Sequence, residues 1–336
     1  MAKMNFSIIG CQHAHIGIFI EEMLTLGHHC TGIYEPDNFL LAEFLAQKYG
    51  LDLAGDPECL LSADVVGCAS INQEKMDVIE LCERYGKPIM IDKPAVTSRE
   101  GLDRLRSVFE RGRIQVGMLL TERFRPEIRL ARQWIERGEL GELVHISMRK
   151  PHRLNPESRP AWHFSKDQSG GIIIDLFVHD FDLLRFFTGQ EVCSSSGFMS
   201  KSMLPEHPAF YDAAGLQVVM DQGITAQLYA DWHTPPTCWT WGDGRIFLTG
   251  TRGTAEIRLE GDPFLGKGGA VLFMNDEKPW TRAEGSDALA ETYASITEDF
   301  LSRIVGGPHV LSHRDILAAT EATIAADETA ERICKI

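Results

Sequence analysis

The sequence predicts an α/β chain in two parts. A doubly wound parallel sheet comes first, and an α+β part with a mostly antiparallel open sheet follows. Three observations predict this. Residues 1–120 alternate short, unalternating apolar runs with helical patterns about 12 residues long, as in a parallel sheet buried on both faces. After residue 140, alternating strand patterns succeed one another with few helices between them, as in an antiparallel or mixed sheet with one covered face. The length of 336 residues suits two domains and a sizeable core. The expected division is 1–121 and 122–336, the last helix being free to pack back on the first domain.

The strands of the first part are read at 6–9, 31–34, 64–68, 88–91 and 114–118, where runs such as Phe6-Ser-Ile-Ile9 and Pro88-Ile-Met-Ile91 stand. Helices fall between them, for example at 38–49, 74–86 and 98–111. In the second part, period-two patterns predict strands at 143–149, 213–219, 224–231, 245–249 and 254–259. Helices are expected at 287–305 and 313–334. Stretches 150–169, 200–212 and 232–244 concentrate Pro, Gly, His and Trp and read as loops, where binding residues gather.

With 33 basic and 48 acidic residues, the net charge is −15. That argues against nucleic acid or an anionic membrane as partner. Eight scattered cysteines with no C-x-x-C pair read as reduced thiols of a cytoplasmic protein, not as a disulfide or zinc framework. The first residues begin a strand almost at once, so no signal peptide is expected. No apolar run reaches the roughly 18 residues of a membrane span.

The most informative stretch is Gly170-Gly171-Ile-Ile-Ile-Asp175-Leu-Phe-Val-His179-Asp-Phe-Asp182. Asp175, His179 and Asp182 recur at i, i+4 and i+7, which places them on one face of a helix. Asp175 can fix the tautomer of His179 and raise its basicity, as a general base requires. Far upstream stands Ile91-Asp92-Lys93-Pro94. Further landmarks are Ala69-Ser70-Ile71-Asn72, Arg123-Phe124-Arg125-Pro126, Gly138-Glu-Leu-Gly141-Glu and Gly250-Thr-Arg-Gly253-Thr-Ala-Glu. In their order and spacing these resemble the glucose–fructose oxidoreductase / inositol dehydrogenase (Gfo/Idh/MocA) family over nearly the whole chain. That family has Glu-Lys-Pro where this chain has Asp92-Lys93-Pro94, and its G-G-x-x-x-D-x-x-x-H motif is complete here.

The resemblance implies a Rossmann-like nucleotide domain, catalytic residues Lys93, Asp175 and His179, and a cofactor site that takes in Ser70, Asn72, Asp92, Lys93 and Arg123. It also implies a cis Lys93–Pro94 bond. The loop after the first strand reads Gly10-Cys11-Gln12-His13-Ala14-His15. A dinucleotide fingerprint would have glycine at 10, 12 and 15, and only Gly10 is present. Gly10 allows the tight turn, and small Cys11 and Ala14 let backbone approach a pyrophosphate at the helix N-terminus, while Gln12 crowds that approach. Taken singly, His13 and His15 read as helix-capping, solvent-facing residues, with contact to phosphate or the nicotinamide pocket as the alternative.

Glu35 ends the second strand. An acid there accepts hydrogen bonds from the adenine-ribose hydroxyls and repels a 2′-phosphate, which favours NAD over NADP. A solvated loop acid, or an N-cap role for Asp37, is the alternative. No metal is expected: there is no H-E-x-x-H, and the paired histidines have no carboxylate in ligand spacing.

In the implied chemistry His179 takes the proton of a substrate hydroxyl as hydride leaves for the nicotinamide, Lys93 stabilises the alkoxide, and Asp175 orients His179. The loops supply His152, Arg159, Trp162, His163 and His233 as substrate-side residues beside Lys93, Asp175 and His179. Aromatic faces flanked by polar groups suit a sugar or cyclitol, and the arginines leave room for a carboxylated or phosphorylated sugar. The expectation is an NAD-dependent dehydrogenase of a sugar, sugar acid or cyclitol hydroxyl, forming a homodimer or homotetramer through the second sheet. Two alternatives are an NAD-dependent glycoside hydrolase that works by transient C3 oxidation, and a non-catalytic NAD or sugar sensor.

Overall fold

A computed structural model describes residues 3–264, 266–287 and 295–334. The chain divides into two compact units: Met1–Leu120 with Asp167–Gly170 and Tyr293–Glu321, and Thr121–Lys166 with Gly171–Thr292 and Ala322–Ile336.

The first unit contains β1 (Asn5–Cys11), α1 (Ile16–Thr25), β2 (His29–Tyr34), α2 (Phe39–Tyr49), β3 (Val65–Ala69), α3 (Lys75–Arg84), β4 (Ile89–Ile91), α4 (Arg99–Arg111) and β5 (Val116–Met118). The sheet runs β2-β1-β3-β4-β5 and is parallel throughout. Strands β3, β4 and β5 are buried at every position, as helices on both faces require. Gly67 lets α1 lie close, since a Cβ there would stand 2.7 Å from both Phe19 and Ile8. The strand order reverses direction between β1 and β3, and ligands of open α/β sheets bind at the carboxyl end of such a switch point.

Local signals set the helix ends. The Asn38 side chain accepts from Leu40 N and caps α2, which ends at Gly50 in the left-handed region. The N-cap role offered as the alternative for Asp37 is thus filled by its neighbour. Ser98 caps α4 by accepting from Gly101 N.

After α5 (Pro126–Glu136) and β6 (Leu143–Pro151) of the second unit comes α6 (Lys166–Ser169), which falls mostly in the first; the second unit goes on with α7 (Gly171–Leu176), α8 (Val178–Thr188), β7 (Val192–Lys201), β8 (Ala213–Met220), β9 (Thr225–Asp231), β10 (Arg245–Gly250) and β11 (Gly253–Arg258). A small β12–β13 pair (Gly261–Asp262, Gly266–Lys267) precedes β14 (Ala270–Asn275) and β15 (Thr281–Glu284). Later in the chain come α9 (Ile296–Ile304), α10 (His313–Thr329) and β16 (Glu331–Cys334). The nine-stranded sheet has the order β15-β14-β11-β10-β6-β9-β8-β7-β16. It is antiparallel except where β6 meets β9 and where β16 meets β7. Inward residues such as Ile146, Met148, Leu216, Val218, Ala226, Leu228, Ile246 and Leu248 are buried at period two, which keeps one face on the core.

Several elements differ from the sequence reading. The helix expected at 313–334 ends at Thr329, and the chain continues as β16. The helix expected at 287–305 is α9 over Ile296–Ile304; residues 288–294 lie outside the described residues. Strand β7, in the sequence VCSSSGFMSK, was not foreseen because its hydroxyl-rich side chains are mostly uncovered and only Met199 is buried. Helix α1 is the one expected after the first strand, whereas α5 and strands β14 and β15 were not foreseen.

Candidate active site

In the first unit, Gly10 has φ +87°, and a Cβ there would lie 1.8 Å from Ser70 Oγ. Only glycine lets the turn after β1 close against the end of β3. Gln12 N then donates to Ala69 O at 2.7 Å. Glu35, 3% exposed, is held by donors of its own unit. Its Oε2 accepts from Cys11 N at 2.6 Å, and its Oε1 accepts from Gln12 Nε2 and from the amides of Asp37 (3.0 Å) and Asn38 (3.4 Å). It is not a solvated loop acid. Burial, followed by the charge of Glu35, pushes the Cys11 thiol up to about 12, so it stays protonated.

Helix α1 starts with no side-chain cap and no acid in its first turn, and its first amides, Ile16, Gly17 and Ile18, donate to the carbonyls of His13, Ala14 and His15, so what it offers an anion is its positive dipole end. Together with the Gly10 turn and the small Cys11 and Ala14, this helix end fits the pyrophosphate of a dinucleotide.

At the carboxyl end of β4, Asp92 is 1% exposed. His13 Nδ1 lies 2.9 Å from its Oδ2 and His15 Nδ1 lies 3.2 Å from its Oδ1. The two rings meet edge to face at 4.2 Å. The expectation that these histidines cap the helix and face solvent is met only in part: His15 occupies the N-cap position without a side-chain cap bond and stays partly exposed, but both imidazoles turn to Asp92. The fold also supplies the carboxylate that local spacing lacked, from 77 residues further along the chain. Burial lowers His13 to about 4 against the opposing pull of Asp92, so it is neutral at neutral pH. Burial works against ionisation of Asp92, but His13, Lys75 and His15 hold it well below the usual carboxylate range.

Lys93 follows, buried, with a cis bond to Pro94. Its turn is tied by Lys75, whose Nζ donates to the carbonyls of Asp92 (2.9 Å), Lys93 (3.2 Å) and Pro94 (3.1 Å) and to Asn72 Oδ1 (2.8 Å). Asn72 Nδ2 in turn donates to Ser169 O at 2.8 Å. Sequence reasoning missed Lys75. The signal was there, because Lys75 shares the buried stripe of α3 with Ile79 and Cys82 at i+4 and i+7.

In the second unit, Asp175 lies on α7 and His179 on α8, both half-buried. Phe177 separates the two helices, so the single helix read from the sequence is two short ones. The bonds Phe177 N to Ile173 O (3.0 Å) and Phe181 N to Phe177 O (2.9 Å) carry the helical path across the joint. Asp182 is buried and receives the Arg123 guanidinium at both oxygens, Nε at 2.7 Å and Nη2 at 2.6 Å. Arg123, assigned to the cofactor by resemblance, is thus paired within its own unit.

Beside His179 lies a buried charge cluster that the sequence did not announce. Lys150 Nζ is 2.6 Å from both Glu122 Oε2 and Asp180 Oδ1. One cation serves two carboxylates, so one of them is driven toward its protonated form. Burial raises Asp180 to about 7 despite Lys150. Burial would also raise Glu122, but Lys150 and then His179 outweigh it and hold Glu122 at about 2.

The substrate-side residues gather around Trp232. The rings of His163 and His152 lie 5.4 and 5.5 Å from it, and the Arg159 guanidinium sits over it at 5.2 Å and over Trp241 at 5.8 Å. Arg159 Nε donates to Leu154 O, and burial lowers its pKa against the charge of Asp175. Trp162 and His163 are buried in an aromatic cluster with Phe164 and Phe210. His152 Nδ1 lies 3.0 Å from Lys150 O. His233 follows Trp232, and its Nε2 is 3.0 Å from Asp212 Oδ1.

Comparison with known proteins agrees with this architecture. Residues 128–256 match the GFO/IDH/MocA C-terminal domain. The chain is 28% identical over 285 residues to the rhizopine catabolism protein MocA of Rhizobium meliloti, covering 84% of this chain and 80% of that one. It is 29% identical over 225 residues to the scyllo-inositol 2-dehydrogenase (NAD(+)) of Bacillus subtilis strain 168, covering 64% and 62%. A crystal structure of a proposed oxidoreductase from Erwinia carotovora atroseptica SCRI1043 superposes with a TM-score of 0.89 at 27% identity, over 98% of this chain and 100% of that one. Residues 128–256 thus match the C-terminal domain of the Gfo/Idh/MocA oxidoreductases, and the chain is similar to such proteins over most of its length.

Proposed function

We propose that the protein is an NAD-dependent dehydrogenase acting on a secondary hydroxyl of a sugar, sugar acid or cyclitol. The observation that carries this reading is Lys93, buried at the carboxyl end of β4 in a turn tied by Lys75, in a chain whose α7–α8 segment carries Asp175 and His179. The names of the MocA and inositol dehydrogenase relatives support the substrate class. Gly10, Gln12, His13, His15, Glu35, Ser70 and Asn72 form the nucleotide side. The buried anion Glu35 favours NAD, because a 2′-phosphate near it would be repelled.

When bound, the nicotinamide supplies the hydride acceptor. His179 takes the hydroxyl proton, Asp175 holds the imidazole in the productive tautomer, and the Lys93 ammonium stabilises the alkoxide-like oxygen. His152, Arg159, Trp162, His163 and His233 shape the substrate side, where flat rings and cations suit polyol C–H patches and hydroxyls.

Among the described residues no helix is long and apolar enough to cross a membrane. The eight free cysteines suit a reducing compartment, which supports a cytoplasmic location. The outward face of the nine-stranded sheet exposes Phe198, Val219 and Phe247 among polar neighbours, which supports self-association through it.

The test titrates nucleotide-stripped protein with NADH and NADPH, then screens polyols, sugar acids and glycosides. Preferential NADH binding and NAD-dependent oxidation of a polyol are expected. Lys93→Ala and His179→Ala should abolish turnover and leave NADH affinity within about a few-fold. Glycoside hydrolysis without net NADH would transfer the assignment to a hydrolase, and binding of neither nucleotide would remove it.

A further inference from the structure

We propose that His13, His15 and Asp92 form a binding site for a divalent first-row transition-metal ion, zinc foremost. The three side chains come from two places in the first unit, the loop after β1 and the end of β4, and their ligand atoms all lie within 4.8 Å of one another. Both imidazoles present the same atom, Nδ1, to the two oxygens of one carboxylate, at 2.9 and 3.2 Å.

Those separations lie a few tenths of an ångström inside the edges of a zinc tetrahedron. Zinc holds imidazole nitrogen at about 2.0–2.1 Å and carboxylate oxygen at about 2.0–2.2 Å, so neighbouring ligand atoms stand roughly 3.3–3.5 Å apart. One edge is a poor hydrogen bond. Asp92 Oδ2 is a buried oxygen with no hydrogen bond among the described residues, although His13 Nδ1 is only 2.9 Å away.

The donor set selects the class of ion. Two imidazoles and one carboxylate suit zinc, cobalt, nickel or ferrous iron, whereas calcium and magnesium require mostly oxygen ligands. The Lys75 ammonium on the Asp92 carbonyl adds positive charge nearby, which disfavours ions bound by charge alone. Three protein ligands leave a position for water or a substrate oxygen. His15, 43% exposed at its side chain, gives the ion a route in from solvent. The site shares His13 and His15 with the nucleotide side proposed above, so the two are separated by measuring metal uptake without nucleotide.

The experiment uses the full chain, dialysed against chelator and free of nucleotide. It is titrated with Zn²⁺ by calorimetry and with Co²⁺ by visible absorption, alongside the variants His13→Ala, His15→Ala and His29→Ala. The expected result is one saturable Zn²⁺ site and Co²⁺ ligand-field bands. Both should weaken by about 100-fold or more in His13→Ala and in His15→Ala, since loss even of a group that only orients a ligand costs about 10–100-fold. His29→Ala, altered at an exposed histidine elsewhere on the unit, should bind as the native chain does. His15 is partly exposed, so His15→Ala keeps the test valid if His13→Ala fails to fold, and thermal melting identifies that case. Absence of saturable uptake, or uptake unchanged by His13→Ala and His15→Ala, overturns the proposal.

Discussion

The side-chain amide of Gln12 donates to Oε1 of Glu35, while the neighbouring Cys11 amide donates to Oε2. This relationship accounts for a residue that breaks the glycine fingerprint. A glutamine at the second glycine position crowds the backbone that must approach a pyrophosphate, but here it is buried against the end of β2. Glu35→Ala should release Gln12 and weaken NADH binding by about tenfold or more, as expected for loss of hydrogen bonds to a charged group at about 1.5–3 kcal/mol. Gln12→Gly added to Glu35→Ala should restore most of that affinity. Strictly additive losses in a fluorescence-monitored double-mutant cycle would remove the coupling.

Lys150 is the counter-ion for two buried carboxylates, Glu122 and Asp180. Lys150→Met should destabilise the fold by about 3–5 kcal/mol, because removing one partner leaves uncompensated buried charge. Urea unfolding at neutral pH measures this. A loss within about 0.5 kcal/mol would mean that the carboxylates find water or other donors.

The same cluster predicts a pH dependence. Asp180 has its folded pKa raised from 3.8 to about 7, so its contribution to stability is complete below pH ~4 and is lost as pH rises through ~7. Glu122 is lowered from 4.5 to about 2, so its contribution is present above pH ~4.5 and is lost as pH falls through ~2. Asp180→Asn should therefore flatten the decline in stability between pH ~4 and ~7 and leave the acid limb intact. Identical slopes for the variant and the native chain over that interval would contradict the assignment.

Lys75 is fully buried and its ammonium holds three consecutive carbonyls at 92–94. Lys75→Met should lower stability by about 3 kcal/mol or more, since three buried acceptors and Asn72 lose a charged donor. Lys75→Arg should not rescue it, because the planar guanidinium fork does not reproduce a compact three-donor ammonium. Thermal unfolding of both variants decides the matter, and full rescue by arginine would count against a role for the ammonium shape.

Both sheets were legible in the sequence wherever burial writes a period. Runs such as 64–68 and 88–91 appear as β3 and β4, and the alternation at 213–219 and 224–231 appears as β8 and β9. Strand β7 was hidden because backbone pairing holds it more than side-chain burial does. Helix α10 was overextended because its polar and small residues continue smoothly into β16. Residue types and chain order singled out Lys93, Asp175 and His179 as candidates, but not the partners that surround such groups. Asp92 meets His13 and His15 across 79 and 77 residues. Lys150 meets Glu122 and Asp180 across 28 and 30. No local pattern encodes pairings of that range, which follow from strand order alone.

Strand β16 lies parallel to β7 at one border of the nine-stranded sheet, and all four of its side chains are exposed. It therefore adds little to the core and acts through its peptide groups, occupying hydrogen-bonding positions that β7 would otherwise present to solvent. An uncovered border of this kind is a template for strands of other molecules. Four residues with almost no burial thus put a short edge in place of the 198–201 end of β7, and a very short edge strand is a poorer template for edge-to-edge aggregation. Chains shortened before Glu331 are liable to precipitate at concentrations the intact chain tolerates, even where their melting temperature is nearly the same.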